Sequence, residues 1–487
     1  MLDVLIVGAG PTGLTLAIDL SRRGLAVRII DKSAGPQEGS RGFGVKPRTL
    51  EIFDDLGVAG DFLAADHYTG RTKVHMGGAL LADFRIKSRA PTPERPYPNY
   101  VSLPEWKTEE ILRGRLAQSG VTVEFGVALT SFVDEGDSVT VQLSDGSQAT
   151  ASYLVGCDGG RSTVRKQLGL AFEGSTTDAR ALLADVDVSG LEDEDAVHIW
   201  AGDGAMIVLR PYAPGQPWQV IASIGADEEP SLELLQRFAR ERTGLSTLEL
   251  SNLRWLSVWR YSLRIVDRYR VGRVFIAGDA AHIHSPFGAF GMNTGIQDAY
   301  NLGWKLAYVL QGKASEELLD TYETERLPVG RAILDESDRR FAAATAPPRV
   351  LRPLLRFLIK PFLVRLNERG RTDHPSYYES PLTLPSVKPR FRRTALRAGD
   401  SAPRGVDAGP EFTVVAFDRE VPAGLEQFGD QVTTIVASDN LRQTWGVAQG
   451  TLALIRPDGY LAALTTEADE LVTQLANLLA RRELSRR

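Results

Sequence analysis

The chain is short of cysteine: among 487 residues there is one, Cys157, and only six histidines and four methionines. One thiol excludes a disulfide framework, a cysteine-rich zinc site and a CxxC redox pair, and it fits a reducing cytoplasm. No stretch of about 18 uncharged apolar residues occurs, so no transmembrane helix is expected. The first residues, Met1-Leu2-Asp3-Val4-Leu5, lack the basic start of a signal peptide and pass straight into a buried-strand pattern. A surplus of positive charge is missing as well. Lysine plus arginine is 56 against 62 acidic residues, a net charge of −6, which disfavours general nucleic-acid binding. What remains is 43 % apolar and 24 % charged, the balance of a globular protein of two to four domains.

Residues 2–7 form an apolar, branched run ended by Gly8, the mark of a strand buried on both faces of a parallel sheet. Leucines at 14, 16 and 20 place a helix over 13–23, and residues 26–30 supply a second strand ending in Asp31. Together these make one βαβ unit. Further helices are expected at 48–56 and 108–117, and strands at 121–125, 139–143 and 148–155. From 181 to 259 strand-like runs alternate around one helix at 232–243, a separate antiparallel sheet. Residues 274–277 return to parallel-strand character ahead of a helix at 294–311, so the first domain is discontinuous.

Prolines at 347, 348, 353, 361, 375, 381, 385 and 389 make 347–396 a connector. Arg352, Arg356, Lys360 and Arg365 recur there among leucines, and two of those prolines interrupt the basic face they would offer a membrane. A bridging segment packed on its own protein is the expectation. The last unit has strands at 412–417, 432–437 and 451–455 and a closing helix at 467–480.

Three glycine–acid corners carry the chemistry. Gly8-Ala9-Gly10-Pro11-Thr12-Gly13 fits GxGxxG between a strand and a helix. The glycines permit a tight turn, close approach of backbone to pyrophosphate, and helix–strand packing, while the helix N-terminus offers amides and partial positive charge. Asp31, 18 residues past Gly13, is placed to accept ribose hydroxyls and disfavours a 2′-phosphate, so the tight ligand should be FAD or NAD rather than NADP. The second corner, Gly156-Cys157-Asp158-Gly159-Gly160-Arg161-Ser162, could bind an anion or be an ordinary turn with a helix cap. In the third, Gly278-Asp279 at a strand end can hold a ribityl or ribose hydroxyl, and Phe290-Gly291-Met292-Asn293 runs into a helix whose amides could face a negatively charged ring.

In this order the three corners resemble the class A flavoprotein monooxygenases, single-component FAD-dependent aromatic hydroxylases. The string from Gly278-Asp279-Ala280-Ala281-His282 through Gly291-Met292-Asn293-Thr294-Gly295 to Asn301-Leu302-Gly303-Trp304-Lys305 is a close match, as is Arg41 with Arg48-Thr49-Leu50-Glu51. The C-terminal unit resembles the thioredoxin-like module of the phenol and polyketide hydroxylases; without CxxC, packing or a homodimer contact is its expected use. The resemblance implies a fold of the α/β class. A discontinuous Rossmann-like FAD-binding domain (1–72, 100–178, 266–346) would be joined by an antiparallel β-sheet substrate domain (73–99, 179–265) and a thioredoxin-like α/β domain (397–487).

It further implies that NADPH or NADH reduces FAD and that one atom of O2 reaches a phenolic carbon through a flavin C4a-hydroperoxide. The alternatives are a relative that epoxidises, performs Baeyer–Villiger insertion or inactivates an aromatic antibiotic, and a FAD-holding ligand binder without turnover. No metal and no integral membrane association enter this chemistry. Thr12 and Gly13 would meet the pyrophosphate, Asp31 and Lys32 the adenosine end, and Arg41 the phosphate or ribityl region. Asp279 would hold the ribityl chain, and Gly291, Met292 and Asn293 the isoalloxazine. Asp158 and Arg161 would serve FAD support and nicotinamide docking, and the Pro286 carbonyl would face the substrate. Trp200, Arg210, Tyr212 and Phe287 are the candidate substrate contacts. Two positions depart from the family pattern: Glu105 stands in place of a glutamine, and Ala289-Phe290 in place of Gly-Gln.

Overall fold

A computed structural model describes the chain except residues 68, 77–78, 203–204, 285–289, 346–374, 385–395, 407 and 480–487, and the side chains of 338 and 340–345. Among the described residues, the α-helices ahead of the C-terminal unit are α1 (Pro11–Arg22), α2 (Pro47–Asp55), α3 (Ala59–Ala65), α4 (Glu105–Ala117), α5 (Thr163–Gln167), α6 (Leu232–Thr243), α7 (Gly291–Leu310) and α8 (Asp320–Thr345).

Leu2–Val7 lies at the centre of the first sheet, parallel to Val27–Asp31 on one side and to Gln148–Gly156 on the other. Its neighbours being reached in opposite directions, a crevice opens at its carboxyl end, where α/β sheets bind ligands. Val274–Ile276 adds in parallel beyond Gln148–Gly156, so a strand from late in the chain completes this sheet. The strand centres are sealed: Val4, Leu5, Ile6, Leu154, Val155 and Phe275 have no exposed surface.

The second sheet has eight strands and is antiparallel except where Arg71–Met76 runs parallel to Val197–Gly202. Strand alternation sends its two faces to different fates. Leu182, Ala184, Ile207, Leu209, Val220 and Ala222 turn toward α6 and form one core. Ala181, Leu183, Ile221, Trp255, Trp259 and Tyr261 gather on the opposite face, which looks toward the first sheet. A third, four-stranded sheet with Phe412–Phe417 inside it closes the chain. It packs on α7 through Trp304 and Tyr308, which meet Phe412 edge-on.

Both helices that open at glycine corners begin earlier than the sequence pattern indicates, α1 at Pro11 instead of 13 and α7 at Gly291 instead of 294. Proline is tolerated at the first helical position, because its absent N–H would be unpaired there anyway.

Candidate active site

The three glycine corners meet at the crevice. Gly8 has φ +105°, and a Cβ there would lie 2.3 Å from the Cys157 carbonyl oxygen, so only glycine lets the first and second corners touch. A Cβ on Gly13 would stand 2.0 Å from the Gly8 carbonyl oxygen, which fixes how tightly α1 seats on its strand. On the far side the Thr12 hydroxyl fills the notch between Gly278 and Gly295, where added Cβ atoms would come within 2.6 and 2.4 Å of it. A Cβ on Gly10 would meet, among the described residues, the Glu109 carboxyl at 4.0 Å. Neither α1, opened by Gly10, nor α7, opened by Phe290, is capped by a side chain of its own. Both therefore present amides to the crevice.

Asp31 binds the phosphate-loop turn itself, accepting the amides of Ala9 and Ser33 at 2.8 Å each. Asp158 accepts Thr163 N at 2.6 Å with Oδ2, while its Oδ1 is buried with no partner among the described residues. Asp279 is open to the crevice but walled by protein. Loss of water pushes its carboxyl up to about 6, with Glu105 adding to the rise and His282 and Arg41 opposing it. Lys32 and Arg161 are exposed at the rim. Arg41 is exposed too, its guanidinium 5.9 Å above the Trp255 ring.

Met292 lies beside Gly42, and the Asn293 side chain fastens the strand Phe43–Val45. Its amide donates to Gly44 O at 3.0 Å, and its oxygen accepts Lys46 N and Thr49 Oγ1. Glu105, the departure from the family's glutamine, accepts the amides of Arg41 and Gly42 at 3.1 Å and so holds the crevice loop. Phe290 is buried under the Lys46 ammonium, 3.5 Å from its ring centre.

His282 and His284 work as a hydrogen-bonded ladder. The Asp298 carboxylate can only accept, so His282 donates Nε2–H to it at 2.6 Å, and His282 Nδ1 shares a hydrogen bond with His284 Nε2, 2.9 Å away. Burial resists the charge of Asp298, but Arg326 and His282 outweigh it and hold the carboxyl below its usual range. Burial keeps His284 neutral. Among the described residues, no cluster of His, Cys, Asp or Glu is arranged to hold a metal ion, and no helix is long and apolar enough to cross a membrane.

The substrate candidates divide. Arg210 stands on the crevice face, over the Phe43 ring at 4.1 Å and beside Gln219, which reaches across to Ser40 O. Tyr212 shares that face, stacked on Phe43 and donating to Asp185 at 2.7 Å. Trp200 must be corrected. It pairs with Ile207 on the α6 side of the sheet and stacks with His75 and His198, 4 % exposed, because strand parity turns it away from the crevice. Pro286 and Phe287 lie outside the described residues, as does the basic run 352–365.

Trp255 and Trp259 were not singled out from sequence, although the two-residue spacing of Trp255, Ser257, Trp259 and Tyr261 marks one sheet face. Trp255 presses flat on the crevice loop, where a Cβ on Gly39 would fall inside its ring. Beyond Tyr212 a further cavity of about 850 Å³ opens between α3, α4 and the 213–216 turn, and none of the glycine corners lines it.

Residues 1–337 match the family described as FAD binding domain. A flavin-dependent monooxygenase of Mycobacteroides abscessus is 38 % identical over 506 residues, covering 98 % of this chain and all of the relative. The 6-methylpretetramide 4-monooxygenase of Streptomyces rimosus is also 38 % identical, over 95 % of this chain and 90 % of its own. The structure of aklavinone-11 hydroxylase with FAD and aklavinone superposes with a TM-score of 0.80 at 27 % identity, over 99 % of both chains. With an FAD-type crevice built from three glycine corners, the chain belongs to the FAD-binding family of flavin-dependent aromatic monooxygenases.

Proposed function

We propose that the protein hydroxylates a fused-ring phenolic substrate of polyketide type, bound between the aromatic face of the second sheet and the flavin crevice. The observation that carries this reading is the crevice face itself. Trp255, Trp259 and Ile221 are only partly buried there, and Arg210 is a cation at its end. A broad apolar wall edged by the cations Arg210 and Arg41 suits a flat polycycle bearing an acidic phenol. That the similar proteins named above include two acting on such ring systems supports it.

The residues present fit FAD. Asp158 has a buried carboxylate oxygen beside Gly8 with no partner among the described residues, neither Gly10 nor Phe290 caps its helix with a side chain, and Asp279 stands open at the crevice floor. Bound FAD supplies the passage of NAD(P)H electrons to O2 and the delivery of one oxygen atom to the ring. In this reading Gly8, Gly10, Thr12 and Gly13 receive the pyrophosphate, Asp31 the adenosine ribose and Asp279 the ribityl hydroxyls. The amides of Gly291, Met292 and Asn293 receive charge that develops on the ring system. Arg210 favours the ionised phenol, whose ring carbons are then more nucleophilic. The tryptophan face keeps water from the reacting edge, where stray water diverts reduced oxygen to H2O2.

Aerobic turnover of the FAD-loaded protein with polycyclic phenols under ¹⁸O2 tests the reading. One labelled atom in the product, with NAD(P)H consumed in equal amount, is expected. NAD(P)H oxidation that no phenol stimulates and that yields only H2O2 would refute it. Within the same reading the C-terminal unit is the thioredoxin-like domain, and the protein is a cytoplasmic homodimer, which sedimentation of the purified protein checks.

A further inference from the structure

The C-terminal unit reaches the flavin crevice through buried charge. Arg456, on the turn after its strand Leu452–Ile455, donates to both oxygens of Glu325 on α8, at 2.5 and 2.9 Å. Glu325 in turn accepts Lys305 and Asn301 of α7, each at 2.7 Å. Its neighbour Arg326 donates to Asp298 of α7 at 2.6 Å, and Asp298 accepts the amide of Gly278 at the third glycine corner. A second branch runs through α2. Arg48 donates to the Asp458 carbonyl at 2.5 Å, and the next residue, Thr49, donates to Asn293 in the first turn of α7.

With Glu51 and the Asp458 carboxylate this lattice holds four cations and four anions, none more than 9 % exposed. Burying charge is a poor route to stability alone, since desolvation consumes most of the attraction; its attested use is to specify one geometry. Apolar contacts alone could hold the C-terminal unit in place, as Trp304, Tyr308 and Phe412 do. The charged branches instead end at Gly278, which packs on Gly295 of α7, and at Asn293 in the first turn of the same helix.

We infer that Arg456 is a positioning residue for the flavin site: through Glu325 and through Arg48 it sets the seat of the first turn of α7, making the C-terminal unit part of the cofactor cradle. This rests on the reading that the crevice binds FAD. The test compares Arg456→Met with Leu454→Ala, which cuts the apolar core of the same sheet and removes no charged group. FAD dissociation constants are measured by flavin fluorescence on stripped protein, well below both thermal midpoints. Arg456→Met is expected to weaken FAD binding at least about tenfold, while Leu454→Ala stays within about twofold of wild type even if it melts lower.

Arg456→Lys, which keeps one charge but loses the paired donors, should fall between them, and it is the variant measured if Arg456→Met does not fold. Equal weakening in the arginine and leucine variants, or none in either arginine variant, would overturn the inference. A wild-type protein that binds no FAD would instead overturn the flavin reading.

Discussion

Glu109 offers the sharpest quantitative test of the crevice. It is 4 % exposed on α4, with its carboxyl 4.0 Å from where a Cβ of Gly10 would stand. Loss of water lifts it to about 8, Glu105 and Asp31 adding to the rise while Arg113 and the Gln37 backbone oppose it. An acid raised in the folded state keeps its proton where the unfolded chain, with an ordinary value of 4.5, has already released it. Stability therefore falls as pH rises from about 4.5 to 8, by at most about 1.4 kcal/mol per pH unit, and is level in this group's contribution above and below.

By pH 7 the ceiling is about 3 kcal/mol, and water in the open crevice reduces it, so Glu109→Gln should stabilise the apo-protein by about 1–3 kcal/mol. Below pH 4.5 the gain disappears. Pyrophosphate arriving at Gly10 brings more negative charge, so the wild-type protein should lose FAD affinity above pH 8, and the glutamine variant should not. Thermal midpoints of apo-protein between pH 4.5 and 9, with FAD titrations between pH 7 and 9.5, measure both effects. Identical pH slopes in the two proteins would refute the reasoning.

Asp279→Ala should purify largely colourless, with FAD binding weakened about 10- to 100-fold, the worth of one or two hydrogen bonds to a charged acceptor; full flavin occupancy would count against its role. Arg210→Met should retain FAD yet lose about tenfold or more in kcat/KM for phenols, with the loss shrinking for substrates whose hydroxyl is methylated. Trp259→Ala should shift preference among polycyclic substrates. Trp200→Phe should leave preference unchanged while lowering the melting point, since it trims a core side chain by a volume that its neighbours cannot fill.

Glycine corners were legible because backbone chemistry dictates them: a strand, a positive-φ turn and a helix start leave few alternatives at Gly8 or Gly13. The late strand Val274–Ile276 was readable for a similar reason, being an apolar run too short for a helix. Side-chain facing was harder. Trp200 and Arg210 both lie on strands of one sheet, and only the pairing of Trp200 with Ile207 shows that they face opposite ways. Trp255 and Trp259 sit on a 17-residue strand whose two-residue spacing names a face but not which neighbour it meets. The lattice around Glu325 could not be read at all. Its members come from three stretches, 48–51, 298–326 and 456–458, and no local pattern announces pairing across such separations.

Cys157, wedged between Gly8 and Gly13, has consequences at the bench. Its thiol is buried and its ionisation is suppressed by loss of water, so maleimide and disulfide reagents find no reactive sulfur on the native surface. Any cysteine introduced on the outside becomes a single attachment point for a dye or spin probe, with no need to mutate the native residue. The same thiol, silent until the first sheet parts beneath the phosphate loop, is a built-in reporter of that opening in pulse-alkylation experiments.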